Sequence, residues 1–156
     1  MIKALQFSED TLELLKLMHD YKVSYVLAGG EAVIYYGHAR LTGDVDLFYN
    51  NTATNNEKLF KALKKFWDGT IPGIESANDL GIAGTIFQFG FPPNRIDLMN
   101  EISGVSFEEA TKGSIKEQLI VDEESIEISI ISKQALIKNK KATGRNKDFD
   151  DLDFLT

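Results

Sequence analysis

The chain contains no cysteine. Disulfides and thiolate metal sites are therefore excluded, and a reducing cytoplasm is the expected location. Long hydrophobic runs are missing as well. Nothing approaches the roughly 20 apolar residues of a membrane span, and the N-terminus MIKALQFSED has no signal-peptide core, so no membrane contact is expected. Histidine is scarce. His19 and His38 have no second histidine or cysteine at ligand spacing, which argues against zinc. No Gly-x-x-x-x-Gly-Lys loop and no serine in a nucleophile elbow occur, so P-loop and serine-hydrolase readings lack support. Positive charge is short too: 17 Lys and Arg stand against 24 Asp and Glu, for a net charge of −7. A chain so acidic is not a general polyanion binder. It would meet a nucleotide or nucleic acid at a local patch or through a metal. The only arginines are Arg40, Arg95 and Arg145.

What remains is ordinary for a globular protein: 43% hydrophobic and 26% charged residues. A length of 156 residues fits one domain, residues 1–156. A domain of this size buries about 70% of its unfolded surface. Segment 8–20 has leucines and Met18 at helical spacing behind Ser8 as N-cap. Val23 to Ala28 reads as a buried strand, Gly29-Gly30 as its tight exit, and Glu31 to Gly37 as a short helix. DVDLFY at 44–49 is a strand, and a helix is predicted over 57–67. The stretch IPGIESANDLGIAG carries turn signals with little to fix its shape. TIFQFG and RIDLM pair around a Phe-Pro-Pro-Asn turn. Residues 106–131 alternate polar and β-branched types and predict strands with turns. Ser132 opens a helix stopped by Gly144, and a last short helix is expected to turn Phe149, Leu152 and Leu155 inward. The predicted fold is α+β, a mixed β-sheet flanked by helices with a short C-terminal helical segment.

Within that frame, Asp44 and Asp46 stand out. Residues i and i+2 of a strand share a face, so the two carboxylates project together, roughly 6–7 Å apart at Cα. A hard divalent ion such as Mg²⁺ would relieve their repulsion and keep coordination sites for water and phosphate. A solvated strand end explains the pair equally simply. Asp97 interrupts the apolar strand RIDLM and could supply a third ligand, giving the pattern of two-metal phosphoryl chemistry. It reads also as a strand residue facing water or paired to Arg95. Gly29-Gly30 lets backbone approach a ligand, and Arg40 and Thr42 could meet phosphate oxygens. The basic residues Lys133, Lys138, Lys140, Lys141, Arg145 and Lys147 fit either a triphosphate or RNA contact, or a solvated helix face.

In that order, Gly-Gly, helix, Arg-x-Thr, Asp-x-Asp and a later lone Asp resemble the nucleotidyltransferase superfamily of the DNA polymerase β type. More narrowly, GGEAVIYYGHARLTGDVDLF is similar to the minimal bacterial branch of AbiEii-like abortive-infection toxins and stand-alone transferases. The C-terminal LIKNKKATGRNKDFDDLDFL resembles the lysine helix and Gly-Arg-x-Lys-Asp motif that close these proteins. The likeness covers residues 23–49, 95–99 and 132–155. It implies a metal-dependent enzyme moving NMP from an NTP to an acceptor: tRNA, a protein hydroxyl or a small molecule. Asp44, Asp46 and Asp97 would hold Mg²⁺ or Mn²⁺ and, with Asp148, form the catalytic set. Gly29, Gly30, Arg40, Thr42, Lys140 and Lys147 would contact the nucleotide, and residues 132–155 would complete the site. A toxin role with a cognate antitoxin as partner belongs to the same family-level expectation.

One position departs from the family pattern. Many relatives carry Ser or Thr directly after the two glycines, where this chain has Glu31. An anion there disfavours a triphosphate unless it turns away. That feature supports the rival reading, a catalytically inactive module on the same fold that binds nucleotide or a partner protein.

Overall fold

Residues 7–156 are described by the structure, a computed structural model. The chain begins with α1 (Glu9–Asp20), whose N-cap Ser8 accepts a hydrogen bond from the Thr11 amide. Leu14, Leu15 and Met18 recur at helical spacing and are buried to 1% exposure or less. Strand β1 (Tyr25–Ala28) is buried at every position and leads straight into α2 (Gly29–Tyr35). The two glycines thus form the first turn of the helix rather than a loop ahead of it. Strand β2 (Asp44–Tyr49) follows, then α3 (Ala53–Phe66), a short α4 (Ala77–Leu80), β3 (Ile86–Phe89) and β4 (Arg95–Met99). The chain closes with α5 (Phe107–Thr111), β5 (Ile115–Val121), β6 (Glu124–Ile130), α6 (Lys133–Thr143) and α7 (Asn146–Leu155).

The strands form one six-stranded sheet in the order β3-β4-β2-β1-β6-β5. It is mixed: β1 runs antiparallel to β2 but parallel to β6, while β2 runs parallel to β4. The fold is α+β, as the element pattern predicts. Leu14 and Met18 of α1 and Leu59 and Leu63 of α3 belong to the same buried cluster as Val26, Leu47, Leu98 and Ile128 of the sheet. At the other end, α6 packs on α7, α2 and α5. No helix among the described residues is long and apolar enough to cross a membrane.

Four local expectations need correction. Residues 106–131 are not all strand, because Ser106 and Glu109 form a reciprocal capping box that starts α5. Alternation takes over only from Ile115, in the β5–β6 hairpin. Helix α3 begins at Ala53 rather than 57, since Thr52 caps it by accepting from the Asn55 amide. Asn55 then accepts from the Ser24 amide at 2.7 Å and donates to Ser24 and Asn50 carbonyls. The 71–84 segment does have a fixed shape. Its carbonyls at Leu80 and Ile82 accept from the Asn100 side chain, which in turn accepts from the Gly84 amide. Finally, Phe149 is 54% exposed, while Asp148, Asp151, Leu152 and Leu155 form the inward face of α7. The inward aspartates have cationic partners waiting for them, described below, and this rotates the helix away from the apolar reading.

Asn100 is buried, and its side chain is the link between β4 and the 80–84 turn. Asn100→Ala leaves the Gly84 amide unpaired, whereas the Leu80 and Ile82 carbonyls keep the Tyr49 hydroxyl and the Thr85 amide. We expect it to cost about 1–2 kcal/mol of unfolding free energy. Urea denaturation checks this, and a loss below ~0.5 kcal/mol would show that the turn holds itself.

Candidate active site

Strand register builds the acidic corner. In the parallel β2–β4 pair, Asp46 lies opposite Asp97 and Asp44 opposite Arg95. One oxygen from each of Asp44, Asp46 and Asp97 lies within 4.8 Å of the other two. The alternation along β2 explains why the fold tolerates this: Val45 and Leu47 point into the core while Asp44 and Asp46 share the open face. Asp97 is buried at 5% exposure.

The third strand brings the glycines. Ala28 on β1 lies opposite Asp46, so the chain enters α2 beside that carboxylate. Gly29 has φ +59°, and a Cβ there would stand 2.1 Å from Asp46 Oδ2. At Gly30 a Cβ would stand 2.5 Å from Thr42 Oγ1 and 3.1 Å from Arg40 Nη2. Both positions need glycine because their neighbours already occupy the space. Thr42 Oγ1 also donates to the Asp44 backbone carbonyl at 3.3 Å. These groups line a cleft of about 830 Å³ whose far walls are the β3–β4 hairpin and the ends of α6 and α7.

The C-terminal helices contribute buried charge. Lys140 is 3% exposed, and its Nζ sits 3.3 Å from Asp148 and 3.0 Å from Asp151. Asp148 also accepts from Thr143 Oγ1 at 2.7 Å, from the Arg145 amide at 3.0 Å and from the Arg145 guanidinium. Burial alone would raise its pKa, yet these hydrogen bonds and the Lys140 charge hold it below the usual carboxylate range. Asp151 takes both Arg40 Nε, at 2.8 Å, and Arg40 Nη2, at 3.0 Å. Its carboxyl is lowered as well: burial opposes, but Arg40 and Lys140 prevail. Arg40 and Lys140 both line the cleft, held in place by α7, and Lys147 lines it as an exposed side chain.

Glu31 is 6% exposed and is not among the residues lining the cleft. So buried, it presents little surface to a ligand. Burial pushes its carboxyl up to about 7; Arg40 opposes the rise and Asp44 adds to it.

Residues 7–156 match the family described as "Nucleotidyl transferase of unknown function (DUF2204)". The chain belongs to that family. No curated protein matches it. Membership supports transferase activity and implies a nucleoside triphosphate substrate and, in general, a divalent metal.

The acidic corner of this transferase fits such an ion on its own chemistry. Three carboxylates are a hard, all-oxygen donor set of the kind Mg²⁺ and Mn²⁺ take. Asp46 Oδ1 is buried with no hydrogen-bond partner, and an orphaned buried oxygen calls for an explanation. Burial, then the charges of Asp44 and Asp97, push the Asp46 carboxyl up to about 7, although Lys140 and Lys147 pull it down. A positive group already bridges the other two: Arg95 Nη2 lies 2.8 Å from Asp44 Oδ2, and Arg95 Nε lies 2.8 Å from Asp97 Oδ1.

Two residues of this region were not singled out from the sequence. Asp151 sits in a run of acidic residues that reads as surface, and its partner Arg40 is 111 positions away. Arg95 was visible only as a neighbour of Asp97. Its hold on Asp44 depends on the β2–β4 register, which no local pattern encodes.

Asp46 and Glu31 give the metal-free protein a pH signature. Both carboxyls sit near 7 in the fold against ordinary values of 3.8 and 4.5. Between about pH 4 and 7 the folded state therefore binds more protons than the unfolded chain, and stability falls as pH rises through that window. In EDTA we expect a loss on the order of 1–3 kcal/mol from pH 5 to 8, screening at an open cleft included. Asp46→Asn and Glu31→Gln should each flatten the profile. A stability that rises over this range, or is unchanged by both variants, contradicts the assignment.

Proposed function

We propose that the chain is a metal-dependent nucleotidyltransferase that moves NMP from an NTP to an acceptor hydroxyl. The observation that carries this reading is the convergence of Asp44, Asp46 and Asp97 within 4.8 Å beside Gly29 and Gly30, in a cleft of about 830 Å³. Residues 7–156 act as one catalytic unit, with 132–155 completing the site.

In the reaction an acceptor oxygen attacks the α-phosphorus, the bond from that phosphorus to the β-phosphate bridging oxygen breaks, and pyrophosphate leaves. The acceptor proton passes to a carboxylate, for which Asp97 is our candidate. Asp44, Asp46 and Asp97 would hold the divalent cation, Mg²⁺ or Mn²⁺. Bound there, the ion supplies charge neutralisation for the phosphate oxygens and acidifies the acceptor hydroxyl. The protein's own work is positioning and electrostatics. Gly29 and Gly30 line the cleft and, lacking side chains, leave room for Asp46, Thr42 and Arg40 to stand against the backbone at the start of α2. Thr42, bonded to Asp44, fixes the mouth of β2. Lys147 has no ion pair among the described residues and is our choice for the group that reaches the leaving phosphates. Lys140 and Arg40 act from fixed places through their field. Asp148 and Asp151, both fully buried, are positioning residues that anchor those cations.

The acceptor classes are the tRNA 3′ end, a protein hydroxyl or a small molecule. Assignment to the AbiEii-like branch, with a toxin role and a cognate antitoxin, rests on the resemblance of residues 29–48 and 136–155. Glu31 was the residue that favoured an inactive nucleotide-binding module. Its side chain is buried and presents little surface to a ligand, so we do not adopt that reading.

Incubation with Mg²⁺, each α-labelled NTP, and tRNA or cell extract as acceptor tests the proposal. Label should reach one acceptor class, and Asp46→Ala should reduce transfer at least about a hundredfold. The same substitution should relieve any growth arrest on expression if the toxin reading holds. Tight NTP binding without transfer to any acceptor would sink the catalytic assignment.

A further inference from the structure

Arg95 stands two positions before Asp97 on the same face of β4 and opposite Asp44 in register. Its guanidinium is already committed to the acidic corner. Nε donates to Asp97 Oδ1 at 2.8 Å, and Nη2 donates to Asp97 Oδ2 at 3.1 Å and to Asp44 Oδ2 at 2.8 Å. The fork thus engages both oxygens of Asp97 and one of Asp44, and leaves Asp46 Oδ1 without a partner. A planar guanidinium gripping two carboxylates is the geometry expected of a cation site filled by the protein itself.

We infer that Arg95 is the resident counter-cation of the acidic triad, and that a divalent ion must displace its guanidinium from Asp44 and Asp97 in order to bind. The inference rests on the metal-holding role proposed above for the triad. It adds that this chain sets its own metal affinity through Arg95. Two observations favour displacement over a permanent brace. The Arg95 side chain is 28% exposed and lines the cleft, so it has open space to move into. The guanidinium occupies both oxygens of Asp97 and one of Asp44, so an ion held by Asp97 would share its oxygens with Arg95, and two positive centres sharing them would repel strongly in a half-buried corner. In the metal-free protein the arginine draws the Asp44 and Asp97 carboxylates together. In the loaded protein it is free to face an anionic group in the cleft.

Mn²⁺ titration of the whole chain, read by electron paramagnetic resonance, tests this with wild type, Arg95→Met, Arg95→Lys and Asp46→Asn. Arg95→Met should bind Mn²⁺ at least about tenfold more tightly than wild type, because charge-assisted hydrogen bonds no longer compete. Arg95→Lys, which keeps the charge but loses the fork, should fall between them. Arg95→Met should also melt lower than wild type in EDTA and gain more from added Mn²⁺; a simple structural brace would lower both melting points alike. Equal or weaker Mn²⁺ binding in Arg95→Met overturns the inference, and if that variant does not fold, equal or weaker binding in Arg95→Lys does so. Asp46→Asn keeps the two failures apart. Unaltered Mn²⁺ binding in that variant, or no binding by any of the four proteins, removes the triad as a metal site and the inference with it. Loss of binding in Asp46→Asn together with tighter binding in Arg95→Met supports both.

Discussion

Mutual repulsion among three carboxylates is the constraint around which this molecule is arranged. Asp44, Asp46 and Asp97 approach within 4.8 Å of one another on a sheet whose opposite face is core. Two unit charges about 4 Å apart interact with roughly 4 kcal/mol at the effective dielectric of a protein surface. A fold of ordinary stability retains such a cluster only with compensation. Here the compensation comes in three forms: the Arg95 fork on Asp44 and Asp97, a raised proton affinity at Asp46, and the more distant charges of Lys140 and Lys147.

The C-terminal helices belong to the same arrangement. Asp148 and Asp151 are fully buried, which is tolerable only because Lys140, Arg145 and Arg40 satisfy them. The pairs tie α7 to α6 and to the loop ahead of β2. Cations are placed near the site without being spent on the triad itself. Lys147, one residue before Asp148, is left exposed on the cleft.

Much of this was legible from the sequence, and the limits have physical causes. The shared face of Asp44 and Asp46 follows from strand periodicity, and Ser8, Ser132 and Gly144 mark helix ends by local capping chemistry. The capping box at Ser106 is equally local, but the β-branched alternation that follows it favours strand. Asp97 was suspect as a polar residue in an apolar strand. That it faces Asp46 depends on β2 and β4 being neighbours, a long-range pairing that no local pattern carries. Asp151 looked like surface charge because its partner lies 111 residues away. Phe149 was misplaced for the complementary reason: helix α7 buries its salt-bridged aspartates and leaves the aromatic ring outside. Glu31 sits in a conspicuous position, yet only the fold reveals that its side chain is buried.

The central claim is that the triad is a cation site. Crystals grown with Mn²⁺ and measured for anomalous scattering test it most directly. The expected result is an anomalous peak within coordination distance of Asp44, Asp46 and Asp97, with the Arg95 guanidinium moved off at least one of its two carboxylates. A map with no peak at the triad, and Arg95 still bonded to Asp44 and Asp97 at saturating Mn²⁺, would contradict it.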